Sequence, residues 1–371
     1  MITVTHAAGR YAVHTEALAC TPARLREAGL APGLALVVTD ATVAGLYLDA
    51  LARALRADGW TPHPVVVAPG EGSKSLASYA DVCDAALSAG PSRATPVLAL
   101  GGGVVGDLGG FAAATLLRGL PLIHLPTTVL AQVDSSIGGK TGVNTSRGKN
   151  LVGAFWAPRF VLADPAVLAT LPAREVRSGL AEAVKHGLLA GGPLLDLLIE
   201  NRDRLAAPDG LPPDVLGRIV HEAAAVKAAV VSADERESGA RAHLNLGHTF
   251  GHALEAAAGY GTLTHGEAVA VGMRAALHLS ASLATGGAVA ALAAPWAEMD
   301  ALVARLDPPA VPETVTTDAL VSAMTLDKKR DAAGLRFVVL DDVGAPRLAS
   351  RVSEALVRAA WAYARSGPAL S

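Results

Sequence analysis

The sequence predicts an α/β fold over its first half, a parallel sheet with helices on both faces, joined to a second half that is almost wholly helical. Three observations carry this. Short apolar runs alternate with helical stretches between residues 34 and 125, glycines 59 and 90 close two of those stretches, and beyond residue 178 the apolar spacing is helical with one exception. Strands joined in series by helices require right-handed crossovers, and hence a parallel sheet buried on both sides.

In order, residues 34–39 read as a strand, 41–58 as a helix ending at Gly59, 65–67 as a short strand, and 79–89 as a helix stopped by Gly90. Residues 96–100 form the next strand, followed by a glycine cluster, a helical stretch to 117 and a strand at 122–125. Residues 130–177 read mainly as loops. Helical patterns then cover 178–189, 214–232, 245–257, 265–283, 295–306, 317–329 and 353–364, and residues 336–340 are the strand-like exception. These readings give two domains, 1–177 of α/β type and 178–371 helical.

The 371 residues are 51% hydrophobic and 18% charged, enough apolar material for a large core, which excludes a disordered chain. Lys+Arg 31 against Asp+Glu 34 leaves no cationic excess for nucleic acid or an anionic membrane. Cys20 and Cys83 have no metal-type or redox-type spacing and read as small apolar residues of a reducing compartment. His6, Gly9 and Arg10 interrupt any secretory leader, and the apolar runs are too short or too charged to span a bilayer. A soluble cytoplasmic protein is expected.

Gly101, Gly103 and Gly106 satisfy G-x-G-x-x-G between a strand and a helix. There the backbone can approach a pyrophosphate closely and the helix N-terminus favours negative charge. A plain turn satisfies the same pattern. Asp40 ends the first clear strand, where it suits either a ribose or the N-terminus of the next helix. Residues 71–74 supply a third loop on the same carboxyl edge, and that convergence favours a Rossmann-like nucleotide site. Residues 134–144 and 148–150 bring Lys140, Lys149 and Asn150 into a polar, glycine-rich stretch suited to a substrate phosphate. Asp134 breaks the P-loop pattern that Gly139-Lys140-Thr141 otherwise suggests.

His248 and His252 are one turn apart on a helix, His265-Gly266-Glu267 opens the next, and Glu182 precedes Lys185 by three residues. Two histidines and a carboxylate with an open position suit a catalytic divalent ion, and spacing alone pairs His248 with His252. The same pair suits surface or capping roles. Lys227, the run 234–237, Arg241 and Asn245 lie just upstream, either as a solvated face or as partners for a substrate carboxylate and hydroxyls.

Seven blocks now stand in order: residues 101–108, 125–128, 132–144, 148–150, 179–185, 244–252 and 265–269. Together they resemble the 3-dehydroquinate synthase family of sugar-phosphate cyclases, over about residues 30–340. The resemblance implies an NAD-binding N-terminal domain and a helical domain holding one divalent ion, zinc or cobalt. It implies Glu182, His248 and His265 as the metal ligands, which displaces the pairing by spacing and leaves His252 for substrate contact or proton transfer. Asp40, Glu71, Lys74, Gly102, Gly103, Val104, Val105, Gly106, Asp107, Thr127, Thr128 and Thr170 are implied at the cofactor, with Lys140 and Lys149 near it.

Arg118, Lys140, Asn150 and a lysine of 328–329, taken as Lys328, are implied at the substrate phosphate. Asp134, Lys149 and Lys185 would line the reacting centre, Lys227 and Arg241 would pair with the carboxylate, and Asn245 with the hydroxyls, while Glu237 is counted among the catalytic candidates. The implied reaction turns 3-deoxy-D-arabino-heptulosonate 7-phosphate into 3-dehydroquinate and phosphate by transient oxidation, elimination, re-reduction and aldol closure. A homodimer is implied as well. Two departures, His186 and the pair Gly109-Gly110, touch no assigned role, although the glycines are expected to loosen their helix. The competing readings are sister cyclases of the amino-dehydroquinate, epi-valiolone or deoxy-inosose type, a metal-dependent glycerol or alcohol dehydrogenase, and a non-catalytic nucleotide-binding module. Retention of Lys227 with Arg241 favours a substrate that carries a carboxylate.

Overall fold

The fold is taken from a computed structural model, which describes all residues except 208–209, 238, 260, 329–334 and 367–371, and no side chains over 325–328. The chain divides into two compact units, 1–171 with 227–235, and 172–226 with 236–371. The division thus falls after Leu171, where the sequence suggested 177, and one helical stretch of the second half returns to the first unit.

In the first unit the elements are β1 (Ile2–His6), β2 (Gly9–Thr15), α1 (Thr21–Glu27), β3 (Leu34–Asp40), α2 (Ala41–Val43) and α3 (Asp49–Ala57). They continue through β4 (Thr61–Val67), α4 (Leu76–Ser88), β5 (Val97–Gly101), α5 (Gly103–Thr115), β6 (Leu122–Pro126), β7 (Lys140–Thr145), β8 (Gly148–Phe155) and β9 (Phe160–Ala163). Seven strands form the main sheet in the order β1-β2-β9-β6-β5-β3-β4. β1 and β2 are antiparallel and every other pairing is parallel. The central strands β5, β6 and β9 are buried throughout, as continuous apolar runs between two helical layers require. Leu36, Val38 and Ala99 of the sheet pack in one core with Leu108, Phe111 and Ala112 of α5 and Val82 and Ala86 of α4.

The helix expected over 41–58 forms as α2, a wide π-type turn over Ala44–Leu48, and α3. α5 runs unbroken through Gly109 and Gly110. A Cβ on Gly110 would come within 2.5 Å of Thr141 Cγ2, so the glycine lets α5 press against β7. Residues 130–177 hold more structure than the loops the sequence suggested: β7 and β8 form an antiparallel hairpin with a register irregularity between Val143 and Thr145, and β9 joins the main sheet.

The second unit contains α6 (Ala173–Ala190), α7 (Gly192–Glu200), the start of α8 (Pro213–Ala233), α9 (His248–Ala258), α10 (His265–Thr285), α11 (Trp296–Ala304) and α12 (Thr317–Lys328). A hairpin of β10 (Arg336–Leu340) and β11 (Pro346–Ser350) precedes α13 (Glu354–Arg365), so the strand-like exception finds its partner in a strand the sequence did not announce. α10 is long and apolar enough to cross a membrane by length and composition, contrary to the reading of the runs. Its apolar faces are those of a core helix, since it is largely buried among α6, α9, α11 and α13.

Candidate functional site

Chain order reverses between β3 and β5: the crossover from β3 leads outward to β4, and the next returns to β5 on the other side of β3. Ligands of open α/β sheets bind at such a reversal, beyond the carboxyl ends of the strands. Asp40 ends β3, Glu71 and Lys74 follow β4, residues 102–107 follow β5, and Thr127 and Thr128 follow β6. Gly102 caps α5 without a side-chain acceptor, leaving that end of the helix to its backbone N–H groups. Asp40 does cap its helix, accepting at Oδ1 from Thr42 N (2.9 Å) and Val43 N (3.0 Å). Lys74 is buried in an ion pair with Asp107, whose carboxyl is raised by burial while the ammonium opposes the rise. Thr170 Oγ1 lies 2.6 Å from Tyr47 OH.

Thr127 is 3% exposed, and its Oγ1 has no hydrogen-bond partner among the described residues. A buried hydroxyl left so costs about 1–3 kcal/mol unless a bound group completes it. This orphan, beside Gly101 at the carboxyl edge of the sheet, fits a dinucleotide.

Asn144, to which the sequence pattern assigns no role, ties this edge together. Its Nδ2 donates to Glu71 Oε1 (2.7 Å), its N donates to Lys74 O (2.8 Å), and its Oδ1 accepts from Asn150 N (3.0 Å). Asn150, within β8, adopts φ 55° and Arg118 adopts φ 64°, left-handed conformations uncommon outside glycine. Lys140 starts β7 and is exposed, and Lys149 lies on β8. Lys227 Nζ donates to Asp134 Oδ1 at 2.6 Å. Lys328 ends α12, and its side chain, with the whole of Lys329, lies outside the described residues.

In the second unit, Glu182 comes from the middle of α6 and is fully buried, while His248 and His265 are the first residues of α9 and α10. Glu182 Oε1 lies 3.6 Å from His248 Nε2 and 3.5 Å from His265 Nε2. Ligand atoms 2.0–2.2 Å from a tetrahedral ion stand roughly 3.3–3.5 Å apart, so one carboxylate and two imidazoles fit a divalent cation with a position left open. Burial and then Lys185 hold His248 well below its ordinary pKa, in the neutral form a metal needs. Burial opposes protonation of His265 too, but Glu182 and Glu255 outweigh it and push that ring up to about 9. Lys185, 1% exposed, pairs with Glu182 one helical turn away.

Glycine sets the helix spacing behind this geometry. A Cβ on Gly266 would lie 1.9 Å from Ser178 O, and one on Gly272 would lie 2.1 Å from Gly247 O. α10 therefore touches α6 and the start of α9 backbone to backbone, which brings Glu182, His248 and His265 within 4.8 Å of one another. Ser178 Oγ accepts from Gly266 N at 3.1 Å at that crossing. Thr264 and Glu267 form a reciprocal cap at the start of α10, and Arg174 grips Glu267 at 2.7 Å through two nitrogens. His252 is exposed on α9, its ring 5.3 Å from that of His248. Arg241 is 2% exposed, and Asn245 donates to Glu237 Oε1 at 2.8 Å.

Residues 64–178 match the 3-dehydroquinate synthase N-terminal family and residues 179–330 the 3-dehydroquinate synthase C-terminal family. The chain belongs to the 3-dehydroquinate synthase family. Among its relatives, the 3-dehydroquinate synthase of Salinibacter ruber is 48% identical over 356 residues, covering 96% of this chain and 95% of that protein. Among solved structures, 2-deoxy-scyllo-inosose synthase, complexed with carbaglucose-6-phosphate, NAD+ and Co2+, superposes with a TM-score of 0.85 at 26% identity, over 99% of each chain. A 2-epi-5-epi-valiolone synthase from Streptomyces hygroscopicus subsp. jinggangensis, with NAD+ and Zn2+ bound, gives 0.84 at 30% identity, covering 95% of this chain and 96% of that one. The sheet and the helical unit described above are thus those of sugar-phosphate cyclases. Sequence reasoning within this family picked out the three residues that converge in the second unit, and passed over Asn144, Arg174 and Glu255.

Proposed function

We propose that the chain is a 3-dehydroquinate synthase, converting 3-deoxy-D-arabino-heptulosonate 7-phosphate to 3-dehydroquinate and phosphate with NAD and one divalent ion, zinc or cobalt. The observation that carries the reading is the group formed by Glu182, His248 and His265, in a chain 48% identical to a 3-dehydroquinate synthase over nearly its whole length. When bound, NAD supplies a reversible hydride acceptor and the ion polarises the oxygen being oxidised.

The chain's own residues do the rest. Glu182, His248 and His265 hold the ion, and Thr127, Asp40 and the backbone of residues 102–107 bind and orient the dinucleotide. Lys140, Asn150, Arg118 and Lys328 hold the substrate phosphate, their cationic and amide donors stabilising the dianion as it departs. Lys227, aimed by Asp134, binds the substrate carboxylate, as does Arg241. Lys185 and Lys149 line the reacting carbon, Asn245 and Glu237 position hydroxyls, and the exposed ring of His252 moves a proton.

Incubation with the heptulosonate phosphate, catalytic NAD+ and Zn2+ or Co2+ tests the reading. Phosphate and 3-dehydroquinate are expected in equal amounts, with no net NADH and with loss of turnover on chelation. Continuous growth of the nicotinamide absorbance would instead identify a dehydrogenase. Turnover of sedoheptulose 7-phosphate or glucose 6-phosphate in preference to the carboxylate-bearing substrate would identify a sister cyclase. The reading extends to a cytoplasmic homodimer, checked by light scattering and by fractionation of the source cells.

A further inference from the structure

The two ring nitrogens of His265 face different carboxylates. Nε2 lies 3.5 Å from Glu182 Oε1, within the group that would hold the metal, and Nδ1 lies 3.5 Å from Glu255 Oε2. Glu255 is 5% exposed and stands on α9 three residues after His252 and seven after His248, on the face that carries both rings. A carboxylate this buried persists where it meets a donor or a cation. An imidazole that donates from one nitrogen offers a lone pair at the other.

We propose that Glu255 is a positioning residue for the metal centre: it accepts the Nδ1 proton of His265 and so fixes the tautomer and ring direction that aim the Nε2 lone pair at the group shared with Glu182 and His248. This rests on the reading of those three residues as the metal-holding set. The backbone of His265 is already immobilised by the Thr264–Glu267 cap, the Arg174 grip and the contact of Gly266 with Ser178. The freedom left is rotation of the side chain, and a hydrogen bond at Nδ1 is what removes it. Carboxylates placed so on metal-bound histidines raise the basicity of the ligand as well as orienting it. His252, Glu255 and His265 also bring donor atoms within 4.8 Å of one another, so a second ion at that trio is the competing assignment.

The test uses full-length protein stripped with a chelator, with Zn2+ affinity read by competition against a chromogenic chelator and geometry read from the visible spectrum of the Co2+ form. One ion per chain is expected. Glu255→Ala should weaken Zn2+ binding by about 10- to 100-fold and change the Co2+ bands. Glu255→Gln, whose amide oxygen still accepts from Nδ1, should keep more of the affinity than Glu255→Ala. Zn2+ affinity within twofold of the unmodified protein in Glu255→Ala would overturn the proposal, as would a second ion that disappears with Glu255. Should the alanine variant not fold, Glu255→Leu, which fills the space without an oxygen acceptor, carries the test by the same criterion. A protein that binds no Zn2+, or one whose affinity His248→Ala leaves unchanged, would refute the metal-centre reading itself.

Discussion

Thr127 and Arg241 allow opposite signs of effect to be separated at the level of one side chain. Thr127→Val removes a buried hydroxyl that has no partner among the described residues, so the free protein should be as stable as before or more so. NAD+ should then raise the melting temperature less, by the equivalent of about 1 kcal/mol of binding, and an undiminished NAD+ shift would show that the hydroxyl does not face the cofactor. Arg241→Ala removes a cation that is 2% exposed and should cost about 2–5 kcal/mol in kcat/KM for the carboxylate-bearing substrate. A cost under about 0.5 kcal/mol would put Arg241 outside the substrate's reach. Sequence made some of these residues legible and others not, for physical reasons. The cap made by Asp40 was one of two roles its position at a strand end allows, and its Oδ1 bonds realise it. Glu255 carries no such mark, because a glutamate inside a helix looks the same whether it faces water or an imidazole. Its spacing from His248 and His252 was the available clue.

At the level of elements, glycine-mediated crossings should matter more than helix propensity. Gly266→Ala forces α10 away from Ser178 and should destabilise by about 1–3 kcal/mol, with metal affinity falling as well. Gly287→Ala, where a Cβ would meet nothing within 4 Å, serves as the control and should change neither quantity. If both variants bound Zn2+ equally well, the spacing of α6 and α10 would not be what assembles the ligands. Long helices were legible to within a few residues, because their apolar period survives the approximations of pattern reading. Strands with atypical composition were not. β4 contains Pro62 and Pro64, which suppress a strand signal yet are tolerated at the edge of the sheet, where one side of the ladder is unneeded. β7 and β8 hold Gly142, Asn144, Gly148 and Gly153, a composition that reads as loop until the two segments pair.

For the molecule as a whole, His124 introduces a pH dependence of stability. It lies in β6 at the centre of the sheet, and burial pushes it down to about 4 from the ordinary 6.5. Between those values the unfolded chain takes up a proton that the native state refuses, so stability falls as pH drops from 6.5 towards 4 and this contribution levels off below. The loss amounts to about 3 kcal/mol, and urea titrations at pH 7 and pH 4 should show it shrinking in His124→Leu. An equal acid sensitivity in that variant would assign the effect to other groups. Metal removal is the complementary experiment: stripping the protein should lower its melting temperature, and restoring Zn2+ should recover it in proportion to occupancy. The backbone contacts at Gly266 and Gly272 have one more consequence. Where two main chains already touch, no smaller residue exists to loosen the joint and no larger one fits, so drift in substrate preference has to enter through side chains such as Arg241 and Asn245, while the spacing of the helices around the ligands stays fixed.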